Sequence, residues 1–199
     1  MFVRLAKVKD CQEIYDLIKD GDPGMTTLPK SKDEVLERIS WSKKSLNKKT
    51  KRPDKDSYLF VLKENNRIVG ISAIYTSVSK NGTSVFFKQK KMKISSKALK
   101  FQKSLDAIQL YTVKNPYTEL GTLYLHPDFR GKGRGSLLSL ARLKFMALWP
   151  ERFDHKVVAE IRGKVDKDDN SIFWKHFSKH FFDEELFNNN EISYINNSF

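Results

Sequence analysis

One cysteine in 199 residues, Cys11, has no partner in this chain, so disulfides cannot hold the fold together. That usage suits a reducing compartment, and a cytoplasmic location is expected. No Cys and His pair shows zinc-ligand spacing, so no metal is expected. No apolar run reaches the ~18 residues that a membrane-spanning helix needs. The opening residues, Met1-Phe-Val-Arg-Leu-Ala6, lack the charged, apolar, small-residue order of a signal peptide. Acidic residues are scarce, 24 against 37 lysines and arginines, with few clusters besides Asp166-Lys-Asp-Asp169 and Asp183-Glu-Glu185. The net charge of +13 favours polyanionic partners. Two lysine-rich stretches, 43–55 and 88–103, carry much of it. Neither interleaves aromatic residues as a single-strand-binding surface does, and no nucleic-acid motif is visible. These stretches read as solvated loops, with neither nucleic acid nor membrane as partner.

What is present is enough for a core: 39% apolar residues, with 14 phenylalanines. The length suits one domain, placed at 1–187, followed by a polar tail at 188–199. Residues 2–8 alternate as a strand, and 9–19 have helical apolar spacing that Gly21-Asp-Pro-Gly24 ends. Ser31 and Glu34 have the spacing of a capping box opening a second helix. Ser57 to Leu62 and Arg67 to Val78 form a hairpin about Asn65-Asn66, and Asn81-Gly82 marks another turn. Residues 85–111 are ambiguous, part strand-like and part lysine-rich. Tyr117 to His126 is a strand, Ser136 to Leu148 a long apolar helix, Lys156 to Arg162 a strand and Ser171 to Phe182 a helix. The order describes a mixed α/β sheet.

The segment from Leu123 to Ser136, LYLHPDFRGKGRGS, concentrates the chemistry. An apolar strand meets a proline, then Gly131, Gly133 and Gly135, then a helix. Closely spaced glycines let a turn expose several backbone N–H groups, and the helix start adds its own N–H groups and dipole. Such a site binds phosphate. Arg130, Lys132 and Arg134 add charge for a polyanion. The spacing is neither a Walker loop nor a dinucleotide fingerprint. Arg-x-x-Gly-x-Gly after Leu123-x-Leu125-x-Pro127 resembles the acyl-CoA loop of the GNAT acyltransferases. The resemblance implies a mostly antiparallel sheet flanked by helices, whose central strand pair splays to admit pantetheine. Leu123 and Leu125 would then offer backbone groups to the cofactor arm, and Arg130, Gly131, Lys132, Gly133, Arg134, Gly135 and Ser136 would hold its diphosphate.

Several further blocks resemble arginine N-succinyltransferases. They include Gly24-Met-Thr-Thr-Leu-Pro29, Glu119-Leu-Gly-Thr-Leu-Tyr-Leu125, Arg142-Leu-Lys-Phe-Met-Ala147 and Val158-Ala-Glu-Ile-Arg-Gly163. The resemblance implies succinyl transfer from succinyl-CoA, or another acyl-CoA, to the α-amine of arginine in arginine breakdown. Family members are much longer, and their assigned catalytic histidine falls outside this stretch. A homo-oligomer or a separate C-terminal partner chain would fit that difference. Residues 86–113 depart from the family pattern. A non-catalytic acyl-CoA-binding subunit, or an N-acetyltransferase for another amine, is the rival reading.

Amine acylation needs a base for the amine, donors for the thioester oxyanion and a proton for the leaving thiolate. Glu119, four residues before Leu123, stands where several GNAT enzymes carry their base; the alternative is a solvated strand-end carboxylate. Glu160 and Arg162, two apart on a strand, share a face. They either pair the guanidinium and carboxylate of an arginine substrate or pair with scaffold neighbours. Phe177 stands seven residues after Asn170, where many GNAT enzymes carry a tyrosine acid, and a phenyl ring donates no proton. His126 abuts the loop and is a candidate phosphate contact. His176 and His180 read as packing or a solvated helix edge rather than metal ligands.

Overall fold

The computed structural model describes residues 1–19, 25, 27–49, 52–79, 84–113, 115–161, 163–167, 170–178 and 180. The expected turns at 21–24 and 81–82, the proposed boundary at 187 and the tail lie outside them. Among the described residues there are seven strands: β1 (Phe2–Leu5), β2 (Ser57–Glu64), β3 (Arg67–Val78), β4 (Ser84–Ser96), β5 (Phe101–Val113), β6 (Tyr117–Leu125) and β7 (Val157–Val158). The helices are α1 (Cys11–Ile18), α2 (Lys32–Asn47), α3 (Arg134–Leu148) and α4 (Ile172–Ser178).

Five strands form one sheet in the order β1-β2-β3-β6-β7, antiparallel except for the parallel β6–β7 pair. Alternation along β2 sorts its side chains to two faces. Leu59 and Val61 join Ile71, Ala73 and Tyr124 beneath α1 and α2, where Ile14, Val35 and Ile39 are buried. Tyr58, Phe60 and Leu62 join Val69 and Ile74 on the other face, against Leu138 and Phe145 of α3. The sheet is therefore apolar on both sides.

Local chemistry sets the element ends. Ser31 caps α2 by accepting from the Glu34 N–H at 3.1 Å, and the Glu34 carboxylate accepts from the Lys30 N–H at 2.9 Å. Asn65 and Asn66 both take positive φ, 48° and 63°, in the two-residue β2–β3 turn. Polar groups buried under α2 find partners. Ser42 and Ser45 accept from the N–H groups of Leu59 and Ser57, and buried Asp56 meets Lys48 Nζ at 2.5 Å.

Three expectations change. The first strand ends at Leu5, because Arg4 and the Lys7 N–H both bind Asp10 and turn the chain into a single 3₁₀ turn. The strand expected at 156–162 is only Val157–Val158, since β7 has a neighbour only at Thr118 and Glu119. The ambiguous stretch is a ribbon: β4 and β5, 13 residues each, pair along their whole length as a separate two-stranded sheet. Lysines interrupt its alternation, which hid the strand pattern.

Phe145 is the hub of the α3 face. Its ring lies 5.0 Å from Tyr58, 5.3 Å from Phe60 and 4.6 Å from Trp149, centroid to centroid. Phe145→Ala is expected to cost about 3–5 kcal/mol. Denaturant titration checks this, through a lower midpoint at unchanged slope.

Candidate active site

β6 is paired with β3 on one side along its length, but with β7 only at Thr118 and Glu119. β7 ends there, and beyond Glu119 β6 has no strand partner on that side among the described residues. Leu123, on the open stretch, is 41% exposed, whereas Leu125 packs into the α3-side core opposite Gly70. A bulge marks the opening: Thr122 and Leu123 together face Ser72, and Thr122 takes φ of +52°.

The chain then runs through a single 3₁₀ turn, Pro127–Phe129, into the glycine loop. Gly131, Lys132 and Gly133 have φ of 88°, 50° and 74°, three left-handed residues in succession. Gly133 is the N-cap of α3 and brings no side-chain cap. A Cβ built on Gly131, Gly133 or Gly135 would meet nothing within 4 Å, so the loop surface is open. Around the loop, the backbone bonds run from Arg134 N–H to Gly131 O and from Leu137 N–H to Gly133 O. The N–H groups of Gly131, Lys132, Gly133, Gly135 and Ser136 meet no backbone carbonyl among the described residues. That is a cluster of donors at the positive end of a 15-residue helix.

Arg130 and Lys132 are exposed, whereas Arg134 is committed elsewhere. Its guanidinium makes two bonds to Glu64, at 2.5 and 2.8 Å. This pair raises the Arg134 pKa and lowers that of Glu64. Phe129 has Arg134 5.8 Å and Arg67 5.9 Å from its ring centre. The β2–β3 turn thus anchors the loop, through residues about 70 positions away. Sequence reading had no signal for Glu64 or Arg67 as anchors.

Glu119 lies in register with Tyr75 and is half-buried. Burial first, and then the negative charge of Glu160, push its pKa up to about 6. A Cβ at Gly121 would lie 3.1 Å from Glu119 Oε1 and 2.9 Å from the Tyr75 ring, so a side chain there would displace both. Tyr75 also joins a polar chain. Arg38 Nη1 donates to Tyr75 OH at 2.8 Å and to Thr27 O at 2.6 Å. Tyr75 OH meets Thr122 Oγ1 at 2.8 Å, and Thr122 Oγ1 donates to Thr27 O at 3.1 Å. Below the sheet, buried Arg142 donates to Gly121 O at 3.2 Å and to Ser139 Oγ at 3.1 Å, and burial lowers its pKa. Of these, sequence reading had singled out Glu119 alone.

The other expected residues are spread out. Glu160 is exposed but close enough to act on Glu119, and Arg162 lies outside the described residues. His126 faces Phe129 edge-on, with ring centres 5.7 Å apart, and its Nδ1 accepts from the Asp128 N–H. His176 Nδ1 bonds Ile172 O at 2.8 Å within α4, and Phe177 stacks on Phe173 and against Phe87. Cys11 is buried under α2. No cluster able to hold a metal occurs among the described residues.

A mixed, mostly antiparallel sheet, a strand pair that parts after a short join, and a glycine loop feeding a helix at the parting define a GNAT-type α/β fold. Comparison with known proteins narrows this. The family model described as arginine N-succinyltransferase beta subunit matches residues 1–199, and the chain belongs to that family. It is 35% identical to the arginine N-succinyltransferase of Yersinia pestis (strain Pestoides F), over 94% of this chain and 53% of that protein. It is 33% identical to the arginine N-succinyltransferase subunit beta of Pseudomonas aeruginosa, over 94% of this chain and 55% of that one. The solved arginine/ornithine succinyltransferase subunit AI of Pseudomonas aeruginosa superposes with a TM-score of 0.78 at 28% identity, covering 90% of this chain and 55% of that chain. The chain spans about half the length of the curated relatives it matches.

The raised Glu119 pKa has a consequence for stability. A carboxyl that binds its proton more tightly when folded adds stability below its unfolded pKa, lost as pH rises through its folded value. The window here runs from 4.5 to about 6. Glu119→Gln is therefore expected to be more stable than the parent at pH 7 by about 1 kcal/mol, discounted because solvent screens part of the group. The difference should vanish below pH 4.5, which melting curves across pH check.

Proposed function

We propose that this chain binds an acyl-CoA, succinyl-CoA by its family, and passes the acyl group to an amine, the α-amine of arginine being the acceptor. The observation that carries the reading is the run of left-handed residues 131–133 at the start of α3, beside the open length of β6. Its outward N–H groups suit a diphosphate, with Arg130 and Lys132 adding charge. The side chain of Arg134 serves by holding the loop against Glu64, and its first-turn position keeps the helix start aimed at the ligand. Leu123, and the backbone running to Leu125, would meet the cofactor's amide arm. Gly135 and Ser136 complete the phosphate cradle.

Glu119 is the base in this reading. It must be ionised to take a proton from the substrate ammonium, and a pKa of about 6 leaves it mostly ionised yet basic enough at neutral pH. The free amine then attacks the thioester carbon, the C–N bond forms as the C–S bond breaks, the nitrogen sheds its extra proton to water, and the thiolate leaves. With Phe177 in the expected tyrosine's place, water protonates that thiolate. Glu160 would face the guanidinium of arginine, and Arg162 its carboxylate. A second reading, an acyl-CoA-binding subunit that acts only with a partner, is favoured by one fact: the relatives carry about as much chain again.

Two outcomes are expected. CoA should raise the melting temperature of the parent chain, and Gly133→Glu should abolish the rise, because a side chain at φ +74° carries negative charge onto the donors. No CoA response in the parent would remove the reading. With succinyl-CoA and arginine, thiol release should fall along an acid limb near pH 6, and Glu119→Gln should lower it about 100-fold or more. CoA stabilisation without any thiol release would favour the subunit reading.

A further inference from the structure

The β4–β5 ribbon plays no part in the site above, and its surface is unusual. From Phe87 to Asp106 every residue but Ser96 is exposed. Many of the ribbon's exposed residues are apolar. Met92 is 48% exposed, Leu105 38% and Ile108 51%. The ring contacts that join the ribbon to the rest are at its base: Phe87 against Phe173 and Phe177, and Phe86 6.5 Å from Tyr117. Beyond that base, no further strand pairs with the ribbon among the described residues, and a two-stranded ribbon by itself is marginal in water; a third strand or a covering layer is what stabilises one.

The two edges are chemically unlike. β4 carries Lys88, Lys90, Lys91 and Lys93 within six residues, the charge pattern that keeps a free edge from pairing. Two copies meeting there antiparallel would bring lysines opposite or beside lysines. β5 has one lysine and one acid, Lys103 and Asp106, among Leu105, Ile108 and Leu110. Two β5 edges can meet antiparallel without a like-charge ladder. The pairing would add main-chain hydrogen bonds and cross-strand neighbours for the exposed apolar side chains. A two-fold axis perpendicular to the sheet relates such a pair, so one patch serves both copies.

We infer that the exposed edge of β5 is a self-association surface: a second copy of this chain adds its own β5 antiparallel to the first, giving a four-stranded sheet β4-β5-β5-β4 with the lysine-rich strands outermost. The apolar residues of β5 then lie at the centre, and two strands separate the β4 lysines of the two copies.

Sedimentation equilibrium on the purified chain is expected to show a dimer in the micromolar range. The double variant Leu105→Lys, Ile108→Lys should be monomeric while keeping the parent's far-ultraviolet dichroism. Cysteine pairing gives a second reading that does not depend on that variant folding, because the native Cys11 is buried. Ser104→Cys on β5 should cross-link two copies under mild oxidation, and Ser95→Cys on β4 should not. A parent that is monomeric at these concentrations overturns the inference. So does a dimer that survives the double variant or cross-links through β4. Salt-sensitive binding of the monomer to phosphatidylserine vesicles would instead make the ribbon a polyanion-binding surface, and would equally overturn it. None of these outcomes touches the glycine loop, so the CoA response stands or falls separately.

Discussion

A strand that loses a neighbour partway along its length leaves a row of backbone donors and acceptors with nothing to pair. β6 is such a strand. It is fastened to β3 throughout and to β7 only across Thr118 and Glu119. The unpaired stretch begins after Glu119, contains the bulge at Thr122 and runs to the end of the strand at Leu125, shortly before the glycine loop. Every proposed element of the site stands on this parting. Glu119 is at its root, Leu123 on its open edge and the cluster of free N–H groups at its far end. An unpaired edge is a cost in an apo protein, and a ligand that supplies the missing pairing recovers it.

Keeping that gap open requires its walls to be rigid. On one face, the hydrogen-bond chain from Arg38 through Tyr75 to Thr122 ties the bulge to the segment before α2. On the other, Arg142 holds the carbonyl of Gly121. The loop is clamped by Glu64 on Arg134, with Phe129 between two guanidinium groups. Side chains from four separate parts of the chain therefore fix one strand and one turn. This agrees with the general need for a preorganised site to be held by packing and by a shell of supporting bonds.

Much of this was readable from the chain where chemistry is local. Gly131, Gly133 and Gly135 spell a loop with open amides, Ser31 with Glu34 announces a helix start, and Asn65-Asn66 announces a turn; all three have local geometry to match. Spacing to Leu123 singled out Glu119 as a candidate, and the structure finds that carboxyl half-buried in register with Tyr75. The supports were not. Arg134 reads as a phosphate ligand until Glu64 is found beside it, and Tyr75 reads as one more strand residue until its hydroxyl is seen to bridge Arg38 and Thr122. These contacts join residues 37 to 70 positions apart, and no local pattern encodes them. The ribbon stayed ambiguous for a different reason. Neither of its faces is buried, so no selection for alternating apolar residues marks it as strand.

That ribbon also has the proportions of a lever arm. Thirteen residue pairs extend it to about 43 Å at the usual rise per residue, and its fulcrum is narrow. Phe86 leans on Tyr117, and Lys156 sits 5.8 Å over the ring of Tyr111, where β6 and β7 begin their short join. Tyr117 opens the strand that carries Glu119, two residues on, and Lys156 holds the N–H of Thr118 through its carbonyl. A torque applied at the tip would bear on α4 through Phe87 and on the root of the gap through Tyr117 and Lys156, nearer the carboxylate than the phosphate loop.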